Sequence, residues 1–529
     1  MRPRFASLLL FALTCVPLLL AVPFPTQDGP AHLYTAHVSQ ALADSSETAL
    51  LHRFFAPSPA STATRAGTWM VQWLSRWCGP TYVPSLLIFA TAAGLLLAIS
   101  LNENGRAPCF FPRCFIPLAC YSFVVRMGFF SFCLALPLVV LTVRLWLART
   151  SRPWNTRLLY LAAALAVITF LHPVPALWVL VVCAAATASS IVVTRRGIVR
   201  ESTLLALGSI PLLLISVSGR SSGAKDYAWD SIASRLAGIL AGGPFVGLQG
   251  ETLIVSSIAA ILLVLLGTLA LVDQLRQRAA DDPYPLGLLA AVSAALLLAL
   301  FSPEAGLGGG YVGVRCQLLL FLLLLECTRR WHIAQRTDVA LSVIFLTCSM
   351  LIVGSMLVPM RRCSAAYREI MASATALPHS TTVLAVIADD MTAATPDLNA
   401  QVRPLLHAGD LLGLAGDRVL LANYQADLGY FATAFRPGTT PFGVLFEQSL
   451  FGWGPPWVYW DRLLDFHGGV EHLGIWNEGY LLRSVPNAAQ YRDVICEHYQ
   501  EVYRSTDWPW VIYRLSRAKV RGSEPAICG

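Results

Sequence analysis

Of the chain's 529 residues 56% are hydrophobic and 13% are charged, and the mean hydropathy is +0.59. A soluble domain carries about twice that charged fraction, so a water-soluble globular protein is excluded and an α-helical polytopic membrane protein is expected. The net charge of +7 does not point to nucleic acid, because the arginines stand in short clusters between apolar runs, where they set topology, and no DNA- or RNA-binding motif is present.

Arg2 and Arg4 precede an apolar run at 5–22. It has the core of a signal peptide but no small-x-small cleavage site, and Val22-Pro23 would block one, so it reads as an uncleaved first span with a cytoplasmic N-terminus. The loop 23–83 then lies outside. It opens with Phe24-Pro25-Thr26-Gln27-Asp28-Gly29-Pro30-Ala31-His32-Leu33-Tyr34, in which Asp28 caps a helix carrying Pro30 in its first turn. His32 falls four positions on, on the face of Asp28. Running on through Tyr34, His37 and Leu42, this helix is too polar to cross a bilayer and suits its surface. Two readings stand: Asp28 is an N-cap beside interfacial histidines, or it is the lip of a membrane active site. A second amphipathic segment at 67–78 carries Trp69, Trp73 and Trp77, a stripe that anchors a helix in the headgroup layer.

Further spans fall near 84–101, 108–125, 128–147, 158–171, 174–193, 203–217, 252–272, 284–301, 315–327 and 338–359, about 11 with the first. Every interval that should be cytoplasmic carries arginine: Arg106; Arg149, Arg152 and Arg157; Arg195, Arg196 and Arg200; Arg276 and Arg278; Arg329, Arg330 and Arg336. The outer side therefore collects the 23–83 loop, Arg126 with Gly128, the His172-Pro173-Val174-Pro175 break, loops 218–251 and 302–314, and the chain beyond 361. Residues 1–361 form a transmembrane domain and 362–529 an extracytoplasmic α/β domain. Its strands are expected at 381–387, 418–421 and 510–513 and a helix at 488–504, with the sheet order unreadable.

Thirteen cysteines occur without a C-x-x-C pair. Cys15, Cys133, Cys183 and Cys348 sit in apolar runs as small hydrophobes, whereas Cys363, Cys496 and Cys528 leave room for one disulfide of unread pairing.

Several outer groups are candidates for chemistry. Arg126 begins a span, where it either snorkels or meets a phosphate. His172 lies at a proline break, facing protein or water if it is not a plain turn. Loop 218–251 mixes Arg220, Lys225, Asp226, Tyr227, Trp229, Asp230 and Arg235, by default solvated charge, but also what a lipid-phosphate and sugar site requires. Glu304 and the glycines 306–310 precede Arg315, whose guanidinium can pair two phosphate oxygens. This run is not a Walker motif, and no H-E-x-x-H, G-x-S-x-G or Cys/His zinc spacing occurs. Asp389-Asp390 and Asp427 read as solvated positions before cation ligands.

The first-loop acid in Thr26-Gln27-Asp28-Gly29-Pro30-Ala31-His32-Leu33, the amphipathic helices after it, the multi-span body and the C-terminal domain on the same side resemble the GT-C superfamily of polyprenyl-phosphate-dependent membrane glycosyltransferases, of the ArnT-like or RgtA/B/C/D-like type. The resemblance implies a bacterial inner-membrane enzyme moving a sugar from a polyprenyl-phosphate donor to an envelope lipid, glycan or protein acceptor at the periplasmic face. Asp28, with His32 beside it, takes the role of the first-loop carboxylate, accepting or orienting the acceptor proton. Arg126, His172, Lys225, Asp226, Glu304 and Arg315 are then substrate-binding candidates. Displacement at an anomeric carbon needs a base on one face and charge stabilisation of the leaving phosphate on the other. The first loop lacks the Asp-Glu or Asp-x-Asp pair of many members, so no metal ligands are assigned and a divalent cation stays open. Two alternatives remain: a lipid-linked glycan transporter or flippase, which requires inverted repeats, and a non-catalytic membrane assembly protein, which would lack an acid and an arginine within reach of one phosphate.

Overall fold

A computed structural model describes residues 3–44, 49–58, 62–101, 109–148, 154–194, 202, 203, 205–207, 209, 210, 230–246, 252–277, 284–304, 310–329, 331, 333–388, 402–428, 431–446, 458–484, 488–516 and 528. In hydrocarbon each backbone polar group must be satisfied within its own segment, so the apolar runs fold as helices. In chain order these are α1 (Pro3–Leu20), α2 (Gly29–Ala41), α3 (Ala49–Phe54), α4 (Thr62–Cys78), α5 (Val83–Ser100), α6 (Ile116–Cys120), α7 (Phe123–Arg126), α8 (Phe130–Leu147), α9 (Trp154–Leu171), α10 (Pro173–Thr194), α11 (Ile232–Leu240), α12 (Thr252–Gln277), α13 (Tyr284–Phe301), α14 (Val312–Thr328) and α15 (Gln335–Ser373). Among the described residues five helices are long and apolar enough to cross a membrane: α5 with the turn before it, α8, α12, α13 and α15 extended to Ala376. Shorter apolar helices cover Phe5–Leu20, Thr156–Leu171 and Pro173–Ser189. The span expected at 203–217 lies largely outside the described residues.

Helix α5 packs on α8, α10 on α13, and α14 against both α12 and α13. From Arg315 to Thr328 every residue of α14 is buried, as a helix hydrophobic all round must be. Its two charged residues sit near its ends: Arg315, and Glu326, whose carboxylate lies 2.6 Å from Arg144 of α8.

The segment expected as a single span at 108–125 is broken instead into a 3-10 turn (Phe111–Phe115), α6 and α7. Pro112 and Pro117 each stand in the first turn of a piece, where the missing donor costs nothing but a continuous helix cannot form. The pieces still carry the chain past α15. At one end the Phe110 and Phe111 amides donate to Asp338 in the first turn of α15. At the other, Arg126 O accepts from Gln27 N at 2.9 Å, close to where Tyr367 of α15 donates to Thr26 O.

The helix expected on the bilayer surface, α2, is buried. Tyr34 Oη donates to Arg418 O at 2.8 Å and accepts from Leu420 N at 2.9 Å. Thr35 meets Gln425 at 2.8 Å and His37 meets Gly416 O at 3.1 Å. Its polar groups are thus satisfied by the C-terminal region and not by headgroups or water. Helix α4 keeps Trp69, Trp73 and Trp77 at 61, 54 and 77% exposure, as an interfacial anchor requires.

Helix α15 runs unbroken through position 361 to Ser373, and a five-stranded sheet follows. With β1 (Phe55–Pro57) already in the 23–83 loop, the strands are β2 (Ser380–Ile387), β3 (Asp417–Leu420), β4 (Thr433–Phe435), β5 (His472–Trp476), β6 (Tyr499–Arg504) and β7 (Trp510–Leu515). The sheet order is β3-β2-β5-β7-β6, with β2 parallel to β3 and β5 and the other pairs antiparallel. Short helices α16 (Tyr424–Leu428), α17 (Glu478–Ser484) and α18 (Ala488–His498) accompany it. The helix expected over 488–504 stops at His498, because Tyr499, Val502 and Tyr503 favour the strand that pairs with β7. Strand β1 pairs with β4, Phe55 opposite Phe435, fastening the 23–83 loop to the C-terminal region. Cys496 and Cys528 form the disulfide, and Cys363 stays outside it, buried in α15.

Candidate active site

The site forms where the start of α2 crosses the turn between α7 and α8. Gln27 N and Asp28 N donate to Arg126 O and Met127 O, both at 2.9 Å. Gly128 turns this corner at φ +91°, and a Cβ there would stand 2.9 Å from Gly29 N; only glycine allows both. Asp28 occupies the N-cap position of α2, but its backbone is already helical (φ −94°, ψ −5°) and its side chain makes no capping bond. The capping expectation therefore fails for the carboxylate, which is freed for other contacts.

The buried Asp28 carboxylate lies 3.6 Å from His407 Nε2, accepts a hydrogen bond from Tyr424 and feels the charge of Arg315. Burial pushes it up to about 7, against the opposing pull of Tyr424 and Arg315. His407 stacks on Tyr424 with ring centroids 4.5 Å apart. Burial, then nearby His32, pushes His407 down to about 3, so it is neutral and its contact with Asp28 is not an ion pair. One turn into α2, burial pushes His32 down to about 4. Gln425 Nε2 stands 3.0 Å from His32 Nδ1, which accepts, leaving the proton on Nε2.

Arg315, in the first turn of α14 and 3% exposed, supplies the cation. Its Nη1 lies 2.9 Å from His172 Nε2, and its guanidinium carbon 4.0 Å from the Phe129 ring centre and 5.6 Å from that of Phe132. A guanidinium only donates, so His172 Nε2 accepts and Nδ1 carries the proton. The Val174 amide, 3.2 Å from that Nδ1, is then a contact and not a hydrogen bond. Tyr311, before α14, has its phenol in the field of Asp28, Glu304 and Arg403, and the Arg403 amide donates to Gln27 Oε1 at 2.9 Å. Behind the loop a narrow apolar crevice is lined by Phe24, Thr26, Pro30, Leu33, Tyr367 and Leu411.

Of the residues singled out by sequence, the structure thus brings together Asp28, His32, His172 and Arg315. Glu304 stands beside them, bound to Arg235 at 2.9 Å; Asp230 meets the same guanidinium at 3.2 Å. Arg126 corrects the expectation of a surface arginine open to phosphate. It is 2% exposed, donates from Nε to Tyr121 O at 3.2 Å and from Nη2 to Val246 O, and so satisfies carbonyls near the broken helices. Lys225, Asp226, Asp389 and Asp390 lie outside the described residues. Asp427 accepts from Thr440 at 2.9 Å. Among the described residues no three His, Cys, Asp or Glu side chains are grouped to hold a metal ion. His407, Tyr424, Tyr311 and Arg403 were not singled out by sequence. They sit in ordinary polar or loop context, and only the folding of 402–428 over α2 reveals the first two.

A helical membrane body whose first long loop and C-terminal α/β region close over a buried acid has the GT-C glycosyltransferase fold. Among solved structures the chain is similar to ArnT from Cupriavidus metallidurans in the apo state, with TM-score 0.54 and 12% identity over 97% of this chain and 98% of that one. ArnT bound to undecaprenyl phosphate gives TM-score 0.54 and 11% identity over 98% and 99%. Archaeal oligosaccharyltransferase AglB from Archaeoglobus fulgidus, in complex with an inhibitory peptide and a dolichol-phosphate, aligns at TM-score 0.42 and 8% identity over 99% of this chain and 77% of that one. No family model and no curated protein sequence matches the chain.

Proposed function

We propose that the chain is an inverting glycosyltransferase of the bacterial inner membrane. It moves a hexosyl or pentosyl group from a polyprenyl-phosphate donor to a hydroxyl of an envelope lipid, glycan or protein. Asp28 takes the acceptor proton as the acceptor oxygen bonds to the anomeric carbon. The bond from that carbon to the phosphate oxygen breaks on the opposite face, and Arg315, held by His172, stabilises the charge that leaves with the phosphate. His32, as a neutral Nε2–H donor, orients the acceptor or the sugar.

The observation that carries this reading is the pairing of a buried carboxylate, poised at about 7, with an arginine whose field it shares. A base poised near the working pH combines adequate basicity with adequate population of its charged form. The similarity to an ArnT solved with undecaprenyl phosphate supports a polyprenyl phosphate as donor carrier. The Cys496–Cys528 disulfide supports an oxidising compartment for the C-terminal region, and hence an extracytoplasmic site above a cytoplasmic N-terminus.

The test is turnover of purified protein in proteoliposomes with lipid-linked sugars. Asp28→Asn and Asp28→Ala are expected to lose about 10²- to 10⁴-fold in kcat. Unchanged turnover in both removes Asp28 from the chemistry.

A further inference from the structure

His407 and Tyr424 reach Asp28 from two loops that are separate in the chain, and something must hold those loops in register. His407 directly precedes the 3-10 turn Ala408–Gly413, and the Asp410 amide donates back to His407 O at 3.0 Å. The Asp410 carboxylate points away from solvent, 3% exposed, and accepts from Asn423 Nδ2 at 3.2 Å. Asn423, 1% exposed, stands immediately before Tyr424, and its Oδ1 accepts from Ala426 N at 3.0 Å, capping the first turn of α16. The two loops therefore meet twice: through the His407–Tyr424 stack on the side of Asp28, and through the Asp410–Asn423 bond behind it. An apolar side chain at 410 would be cheaper to bury, but it could not accept the Asn423 amide.

We propose that Asp410 is a positioning residue for the transfer reaction: acting through Asn423, it holds Tyr424 and His407 against Asp28. This rests on the reading of Asp28 as the base. It assigns Asp410 no contact with substrate. The groups facing Asp28 are His32 from its own helix, Arg315 and Tyr311 from the start of α14, and His407 and Tyr424 from the C-terminal region, with Arg403 next to Gln27. Those facing Asp410 are Asn423 and the phenol of Tyr34. Of the groups around Asp28, Tyr424 donates the hydrogen bond that favours its charged form. If the Asp410–Asn423 bond is cut, Tyr424 loosens and Asp28 holds its proton to higher pH.

The experiment titrates Asp28 directly. Infrared difference spectra of the full-length protein in nanodiscs, each variant against the same variant carrying Asp28→Asn, isolate the Asp28 carboxyl without substrate or turnover. In Asp410→Ala and Asn423→Ala the Asp28 midpoint is expected to rise by roughly half to one pH unit, the size of one hydrogen bond. Asp410→Asn, which keeps an acceptor for Asn423, is expected to restore the wild-type midpoint, and the acid limb of kcat/KM is expected to move with it. An unmoved midpoint in folded Asp410→Ala, or in Asn423→Ala should the first not fold, overturns the proposal, as does failure of Asp410→Asn to restore it. A midpoint that moves as expected while Asp28→Asn retains turnover leaves the positioning intact and defeats only the reading of Asp28 as the base.

Discussion

Arg315 Nη1 and His172 Nε2 are 2.9 Å apart across 143 residues of sequence. The imidazole fixes one arm of the guanidinium fork and Phe129 lies 4.0 Å from its central carbon, so the cation is aimed before any ligand arrives. Preorganised donors of this kind stabilise charge developing on a leaving group. Lysine keeps the charge but not the planar fork or the stacking. Arg315→Lys is therefore expected to lose about 10-fold in kcat/KM for the lipid-linked donor, and Arg315→Gln about 10²- to 10³-fold, the loss typical of one preorganised donor. His172→Gln, which retains an acceptor, is expected to stay closer to wild type than His172→Leu. Steady-state kinetics with varied donor reads all four, and equal activity of Arg315→Gln and wild type rejects the assignment.

Asp28 makes a pH prediction whose sign follows from its environment. Burial raises it to about 7 while Tyr424 and Arg315 pull it down, so the base form accumulates only as the pH passes neutrality. Turnover is expected to rise through about pH 7 and then level. Removing a group that favours the charged form moves this limb upward, so Tyr424→Phe shifts it to higher pH. His407, neutral above about 3, adds no limb in that range. A kcat/KM independent of pH between about 5.5 and 8.5 would exclude a base of this kind.

Glycine at 313 is a packing requirement of the same region. A Cβ there would run into the Arg235 guanidinium, and Arg235 is 2% exposed, pinned by Asp230, Glu304 and Ser302 O. The guanidinium cannot step aside without breaking those contacts. Gly313→Ala is expected to destabilise by about 1–3 kcal/mol, read as a lower unfolding temperature. The same substitution in an Arg235→Met background is expected to cost less, because the clash is gone. Equal costs in the two backgrounds would show that Arg235 is not the obstacle.

The parts of this fold legible in the sequence are those under the strictest physical constraint. Apolar runs such as 252–272 and 284–301 must satisfy their backbone internally, so they announce α12 and α13. The run at 381–387, rich in β-branched residues, is β2, and the short apolar run at 418–421 falls on β3. Arg315 and His172 stand out because an ionisable residue at the edge of an apolar run must find a partner. Helix α2 misleads because polar faces are satisfied equally well by headgroups or by protein, and nothing local distinguishes the two. Arg126 misleads because the carbonyls it serves belong to breaks around Pro112 and Pro117 that hydropathy alone does not resolve. His407 and Tyr424 carry no local signal, since polar loop residues in a polar domain look alike until tertiary contacts choose among them.

Asp410 links the buried carboxyl to stability. Burial raises it to about 7, opposed by the Asn423 hydrogen bond. A carboxyl whose folded value lies above its ordinary 3.8 favours folding in its protonated form. Its contribution is complete below the ordinary value and is lost as the pH rises through 7. Asp410→Asn keeps the acceptor and removes the titration. Relative to wild type the variant is expected to gain stability between pH 5 and 8, by at most about 4 kcal/mol. Thermal unfolding of both proteins at the two pH values reads this. A difference in unfolding temperature that does not grow at the higher pH contradicts the assignment.

The Cys496–Cys528 bond, spanning 32 residues, tests orientation in the cell. It ties α18 to a position one residue from Gly529, and by loop-closure entropy its loss costs roughly 3–4 kcal/mol. That contribution exists only where thiols are oxidised. With the C-terminal region at the extracytoplasmic face, Cys496 and Cys528 are expected to resist a maleimide in unreduced, denatured samples from rapidly quenched cells and to label after reduction. Cys528→Ser is expected to expose Cys496 to the reagent and to lower the unfolding temperature of the purified protein. Labelling of both cysteines without reduction would place the region in a reducing compartment. Asp28 would then open toward the cytoplasm, and the proposed orientation of the transfer reaction would be inverted.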